Sequence, residues 1–168
     1  MDWHTGYLRQ AISDYTIFKV LESVPDTPLC HRLHYLQMAT EKLAKGFLTP
    51  PNGGAFEYTH KVFKAFLSVA LSNQAIRSQV GMTNQYAAYR SYLREMTPLA
   101  ETIQNLSPEG DDHPNPEYPW QDTQGNVISP LDYPFAGLDT RGNPKMQKLL
   151  YFVEACLEIA RQELQPIP

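Results

Sequence analysis

The chain has 168 residues, enough for one domain with a substantial core, and its 42% hydrophobic and 19% charged content excludes a disordered chain. A net charge of −4 argues against broad electrostatic capture of nucleic acid or of an anionic membrane, although it leaves room for a local basic patch. No run approaches the roughly 18 apolar residues that span a bilayer, so no membrane partner is expected.

Met1-Asp2-Trp3-His4 has neither the basic start nor the apolar stretch of a secretory signal, and a cytoplasmic protein is expected. A first helix is predicted from about Gly6 to Glu22, where Leu8, Ala11, Ile12, Tyr15, Phe18 and Leu21 recur at three- and four-residue steps. Pro25 and Pro28 end it. A second helix is predicted from Leu29 to Leu48, with Leu29, Leu33, Leu36, Thr40, Leu43 and Phe47 on one face. Thr49-Pro50-Pro51-Asn52-Gly53-Gly54 is a break. A third helix is expected to begin near Thr59, its N-cap, and to run through Phe63, Phe66, Leu67, Ala70 and Leu71.

A fourth segment follows Gly81, capped by Thr83 or Asn84, with Tyr86, Tyr89, Leu93, Met96, Ala100, Ile103 and Leu106 on its stripe. Pro98 either kinks it or splits it in two, because proline inside a helix costs about 3 kcal/mol or more. Residues 107–144 change character: prolines and glycines exclude helix over most of the stretch, and carboxylates outnumber cations. Tyr118, Trp120, Val127, Ile128, Leu131, Tyr133, Phe135 and Leu138 are too apolar for a linker, so an ordered insert packed over the bundle is expected, with a short hairpin around Gly125-Asn126. The last helix is predicted from Pro144 to Leu164, with Met146, Leu149, Val153, Cys156, Leu157, Ala160 and Leu164 inward. The expected fold is therefore one all-α domain: an up-and-down bundle of about five helices with a long proline-rich insert before the last.

The run His34-Tyr35-Leu36-Gln37-Met38-Ala39-Thr40-Glu41-Lys42-Leu43-Ala44-Lys45-Gly46, followed after a loop by Thr59-His60, resembles HEPN domains. In that family an apolar helix ending in Gln-x-x-x-Glu-Lys-x-x-Lys leads to a helix that starts with His. Asn115-Pro116-Glu117-Tyr118-Pro119-Trp120 and Ser129-Pro130 are similar to a segment of uncharacterised bacterial relatives. The resemblance implies a helical bundle that dimerises, or that joins another protein in a toxin–antitoxin or phage-defence assembly. It also implies ribonuclease activity in many members, through an Arg followed after four to six residues by a His near the end of the final helix. Arg161 is followed here by Gln162-Glu163-Leu164-Gln165-Pro166, and no other arginine has a His at that distance. The expected activity is thus weakened, and a non-catalytic interaction protein with no cofactor is the leading expectation. The alternative is an atypical ribonuclease or nucleotide-binding enzyme with His60, Glu41 and Arg32 as candidate catalytic residues.

Several polar groups are read two ways. Glu41 and Lys45 have the i, i+4 order of a solvated surface ion pair. Alternatively Gln37, Lys42 and Lys45 belong to a surface that meets a nucleotide or a partner. His31 and His34, beside Cys30, read as helix histidines; a metal site would need His60 or the Asp111-Asp112-His113 cluster as further ligands. His60 reads as a structural hydrogen-bonding group or as part of a polar pocket with Gln37 or Glu41. Five cations from Arg32 to Lys64 against Glu41 and Glu57 give +3 between residues 31 and 64, which would attract the acidic insert. Tyr86, Tyr89 and Leu93 fit the core, leaving Arg90, Tyr92 and Arg94 spare for an interface. Cys30 and Cys156 read as reduced, buried thiols. Glycine-rich phosphate loops, GxSxG elbows, HExxH and paired CxxC motifs do not occur.

Overall fold

The computed structural model describes residues 1–56, 60–106 and 114–165. Six helices are present among them: α1 (Trp3–Ser23), α2 (Leu29–Leu48), α3 (Phe63–Ala70), α4 (Gln74–Gln79), α5 (Tyr86–Gln104) and α6 (Pro144–Glu163). The protein is all-α; the one small sheet among the described residues is a two-stranded pairing of β1 (Trp120–Gln121) with β2 (Val127–Ile128). No helix among the described residues is long and apolar enough to cross a membrane.

Each long helix has a local reason for its bounds. Asp2 caps α1, its carboxylate accepting from Thr5 N at 2.9 Å, and Asn143 caps α6 one residue before Pro144. α1 and α2 form a hairpin and pack along each other more extensively than any other pair. Leu8, Ala11, Tyr15 and Phe18 of α1 and Leu33, Leu36, Leu43 and Ala44 of α2 are buried in a cluster that continues into α3, α5 and α6. α1 packs tightly on α2 at Gly46, where a Cβ would stand 2.8 Å from Leu8 Cγ. A glycine inside a helix costs about 1 kcal/mol against alanine, and here it admits the neighbouring helix.

Two helix starts differ from expectation. The bundle itself is as expected, with six helices among the described residues against about five; the addition is α4, a six-residue helix capped by Asn73 with one buried residue, Ile76, too short to carry a period. α3 starts at Phe63, leaving His60 in the approach to the helix; the proposed cap Thr59 lies outside the described residues. α5 starts at Tyr86, not at Thr83 or Asn84, with Gln85 in the cap position and no side-chain cap bond. Of the two outcomes open for Pro98, splitting does not occur: α5 is continuous from Tyr86 to Gln104.

The insert packs as an extension of the core. Phe135 and Leu138 are buried, and Trp120, Tyr133 and Phe135 form an aromatic group with T-shaped contacts of 5.1 and 5.0 Å. Trp120 pairs with Ile128 and Gln121 with Val127. The turn between them is held by Asp122, whose Oδ1 accepts from Gln124 N and Asn126 N, both at 2.8 Å. Gly125 closes it at φ +86°, a left-handed position that favours glycine. Tyr118, Val127 and Leu131 face solvent.

Candidate functional site

Gln37, Glu41 and Lys45 succeed one another at four-residue steps on α2, so all three lie on one face. The segment before α3 brings His60 against them. Glu41 accepts three hydrogen bonds there: from Lys45 Nζ at 2.7 Å, from His60 Nδ1 at 2.6 Å and from Gln37 Nε2 at 3.2 Å. Burial pushes the Glu41 carboxyl up, but the bonds from Lys45 and His60 overcome it and hold the group below its ordinary range. The carboxylate side chain is only 8% exposed, whereas that of His60 is 37% exposed. The arrangement is a carboxylate-oriented histidine at the edge of the bundle, able to hold one imidazole tautomer in place.

This is a correction for the pair Glu41–Lys45, which is buried rather than solvated, with Glu41 at 6% and Lys45 at 8% exposure. Gln37 is buried with them, so neither it nor Lys45 presents a surface to a nucleotide or partner. Lys42 is also turned inward, its Nζ donating to Asp14 Oδ2 at 2.7 Å, and Gln10 holds the other oxygen of Asp14 at 3.0 Å.

Arg32 does not join His60. It lies nine residues from Glu41 on α2, about 13 Å along the axis. There its Nη1 donates to Glu22 Oε1 at 2.8 Å and to Thr140 Oγ1 at 2.6 Å. Thr140 in turn donates to the same Glu22 oxygen. His31 is exposed, and His34 Nδ1 lies 3.7 Å from Glu117 Oε2 of the insert. No group of three potential metal ligands gathers among the described residues; Asp111-Asp112-His113 lies outside them. Cys30 and Cys156 are free and buried, and burial pushes both thiols up, Cys156 well above the ordinary range, so neither is an activated nucleophile.

On α5 the tyrosines exchange roles. Tyr86 is exposed and stacks under Arg77, while Tyr92 is half-buried against Phe152 with its hydroxyl donating to Lys148 O at 2.9 Å. The helix turns 100° per residue, and Tyr92 rather than Tyr86 meets α6. Arg90 and Arg94 remain exposed.

Two groups escaped the sequence reading. His4 donates from Nδ1 to the carbonyls of Gly46 (2.9 Å) and Thr49 (3.0 Å), and from Nε2 to Glu163 Oε1 (2.7 Å). All three partners are acceptors, an arrangement at the C-terminal end of α2 that favours the doubly protonated ring and raises its pKa above the ordinary value. Arg141 donates to the carbonyls of Pro25 (2.7 Å), Val24 (2.6 Å) and Glu22 (3.0 Å), closing the end of α1. Both contacts join segments far apart in sequence, and no local signal marks them.

The chain matches no family model, no curated protein and no solved structure.

Proposed function

We propose that the protein is a non-catalytic, HEPN-like helical protein that acts through protein contacts, first with a second copy of itself. The observation that carries this reading is a short apolar stripe at the C-terminal end of α1. Ile17 and Val20, three apart on the helix, are 38% and 58% exposed, and Val24, at the C-cap just beyond it, is 47% exposed. Apolar side chains left in water beside one another support an interaction surface where they form a contiguous patch. The reading is supported too by Arg161, which pairs with Glu158 at 3.1 Å and has no His in the four to six positions after it. Membership of a bacterial defence or toxin–antitoxin assembly follows from the family resemblance as part of the same proposal.

Light scattering on purified protein tests it. A dimer that Val20→Glu converts to a folded monomer is the expected result, since a charge at the centre of the stripe is buried unpaired on association. A wild-type monomer at about 100 μM, where even weak obligate pairing is populated, would sink the reading.

A second reading is favoured by the His60–Glu41 contact: an atypical RNA-cleaving site in which Glu41 orients His60 as a general base or acid. RNA cleavage by the wild type, lost in His60→Ala with the fold intact, would establish it in place of the first.

A further inference from the structure

The chain has seven arginines, and five are engaged. Arg9 reaches Met1, Arg32 binds Glu22 and Thr140, Arg77 binds Thr83 O and stacks on Tyr86, Arg141 caps α1 and Arg161 pairs with Glu158. Arg90 and Arg94 make no hydrogen bond or ion pair among the described residues. They are four apart on α5, hence one turn apart on one face, where two like charges disfavour each other. The carboxylates on the same helix are taken: Glu95 by Lys148 at 2.9 Å and Glu101 by Lys64 at 2.8 Å. Glu95 reaches Arg94 only as a charge at a distance.

These two guanidiniums line a cavity of about 220 Å³ between α3 and α5. Its floor is Leu67, Leu71 and Leu93, and Ser68 offers an exposed hydroxyl from the α3 side. No acidic side chain is among the described residues that line it. An unneutralised pair of arginines in a protein of net charge −4 thus faces a groove with an apolar base.

We infer that the α3–α5 groove binds a small phosphomonoester, its dianion held by Arg90 and Arg94 and its organic group laid on the leucine floor. Each guanidinium presents a planar fork of N–H donors that matches phosphate oxygens two at a time, which a single carboxylate cannot satisfy twice. A phosphomonoester carries nearly two negative charges at neutral pH and three acceptor oxygens, enough for both forks and the Ser68 hydroxyl. The cavity is below the roughly 300–1,000 Å³ of sites for drug-sized ligands, so the organic group is a single ring or a short chain. The inference is independent of the self-association proposed above, which uses Ile17, Val20 and Val24, none of them in this groove.

Calorimetric titration of the full chain with phenyl phosphate, inorganic phosphate and benzoate tests it. Phenyl phosphate is expected to bind more tightly than either of the others, because only it uses both arginines and the leucine floor. Arg90→Gln and Arg94→Gln should each weaken it by about tenfold or more, the loss of charge-assisted hydrogen bonds. Neither side chain has a hydrogen-bond or ion-pair partner among the described residues, so the variants should keep the wild-type melting temperature, and Arg94→Lys should fall between wild type and Arg94→Gln. Failure of phenyl phosphate to bind at millimolar concentration, equal binding of benzoate, or equal binding by the Arg90→Gln/Arg94→Gln double variant would each overturn the inference. Preference for a single-stranded RNA over phenyl phosphate, lost in that double variant, would overturn it in favour of a nucleic-acid surface.

Discussion

Glu41 is the residue on which the most buried polarity depends. Its carboxylate neutralises Lys45 and orders His60 and Gln37, and when it is removed the half-exposed His60 can turn to water but Lys45 and Gln37, both buried, cannot readily do so. Glu41→Ala leaves a buried ammonium uncompensated, and urea unfolding should show a loss of about 3–5 kcal/mol. Lys45→Met, which removes the charge and keeps the stem, should cost less; equal losses would mean that packing, not charge, dominates. The two ends of the pH scale are set by opposite signs. Glu41 titrates below its ordinary range in the fold, so its contribution is complete above the unfolded value of 4.5 and fades as pH falls through the folded value. His4 is the reverse. Burial lowers its pKa, but its bonds to Glu163 and to the carbonyls of Gly46 and Thr49 outweigh it and raise the group above 6.5. Its stabilisation is complete below 6.5 and is lost as pH rises through the folded value. Denaturation series should therefore show stability falling from pH 6 toward 9 in the wild type and a flatter profile in His4→Ala, which should lose about 1–2 kcal/mol at pH 6. Profiles that run parallel at every pH would show that the His4 charge does not contribute.

Between elements, the α1–α2 hairpin is limited by the contact of Leu8 with Gly46. Gly46→Ala gains about 1 kcal/mol in helix propensity but drives a methyl against a fully buried leucine. Overpacking of that kind costs about 1–3 kcal/mol, so a net loss of stability is expected by thermal or chemical melting. In a Leu8→Ala background the obstruction is gone and the same substitution should become stabilising; a loss that persists there would place the strain elsewhere. Such contacts explain what the sequence does and does not disclose. The bounds of α2 are legible because Pro28 precedes it and Thr49-Pro50-Pro51 follows it, and the all-α class follows from stripes such as Leu8-Ala11-Tyr15-Phe18. α4 is invisible because six residues with one buried side chain hold no period. The spacing of Gln37, Glu41 and Lys45 puts them on one face, but only the return of the chain at His60 buries that face, which makes a solvated pair into a buried one. Tyr92 and Tyr86 are indistinguishable by periodicity; the position of α6 decides between them.

For the molecule as a whole, the question is what fastens the insert to the bundle. Bulk charge suggests attraction between the acidic insert and the +3 region of residues 31–64, and the His34–Glu117 contact is a part-exposed example. The dominant fastening lies at the other side, where Arg141 takes three close carbonyls at the end of α1 while Thr140, fully buried, is shared between Arg32 and Glu22. These are short, directional bonds to carbonyls in the last turn of α1 and just beyond it, where the helix no longer supplies its own donors. Solvated attraction is screened over about 10 Å at 0.1 M salt, but bonds of this kind persist. Arg141→Ala should therefore lower stability by about 2–3 kcal/mol, with bonds from a charged donor lost and the carbonyls of α1 uncovered. Arg141→Lys should recover only a minor part, because one ammonium cannot span carbonyls that a planar fork reaches together. Limited proteolysis locates the effect. Cleavage within residues 114–143 is expected to accelerate in Arg141→Ala and to stay at the wild-type rate when the wild type is placed in salt of about 0.5 M, where the Debye length is only a few ångströms. Opening of the insert by salt alone would show that net charge is the fastening and that Arg141 is incidental to it.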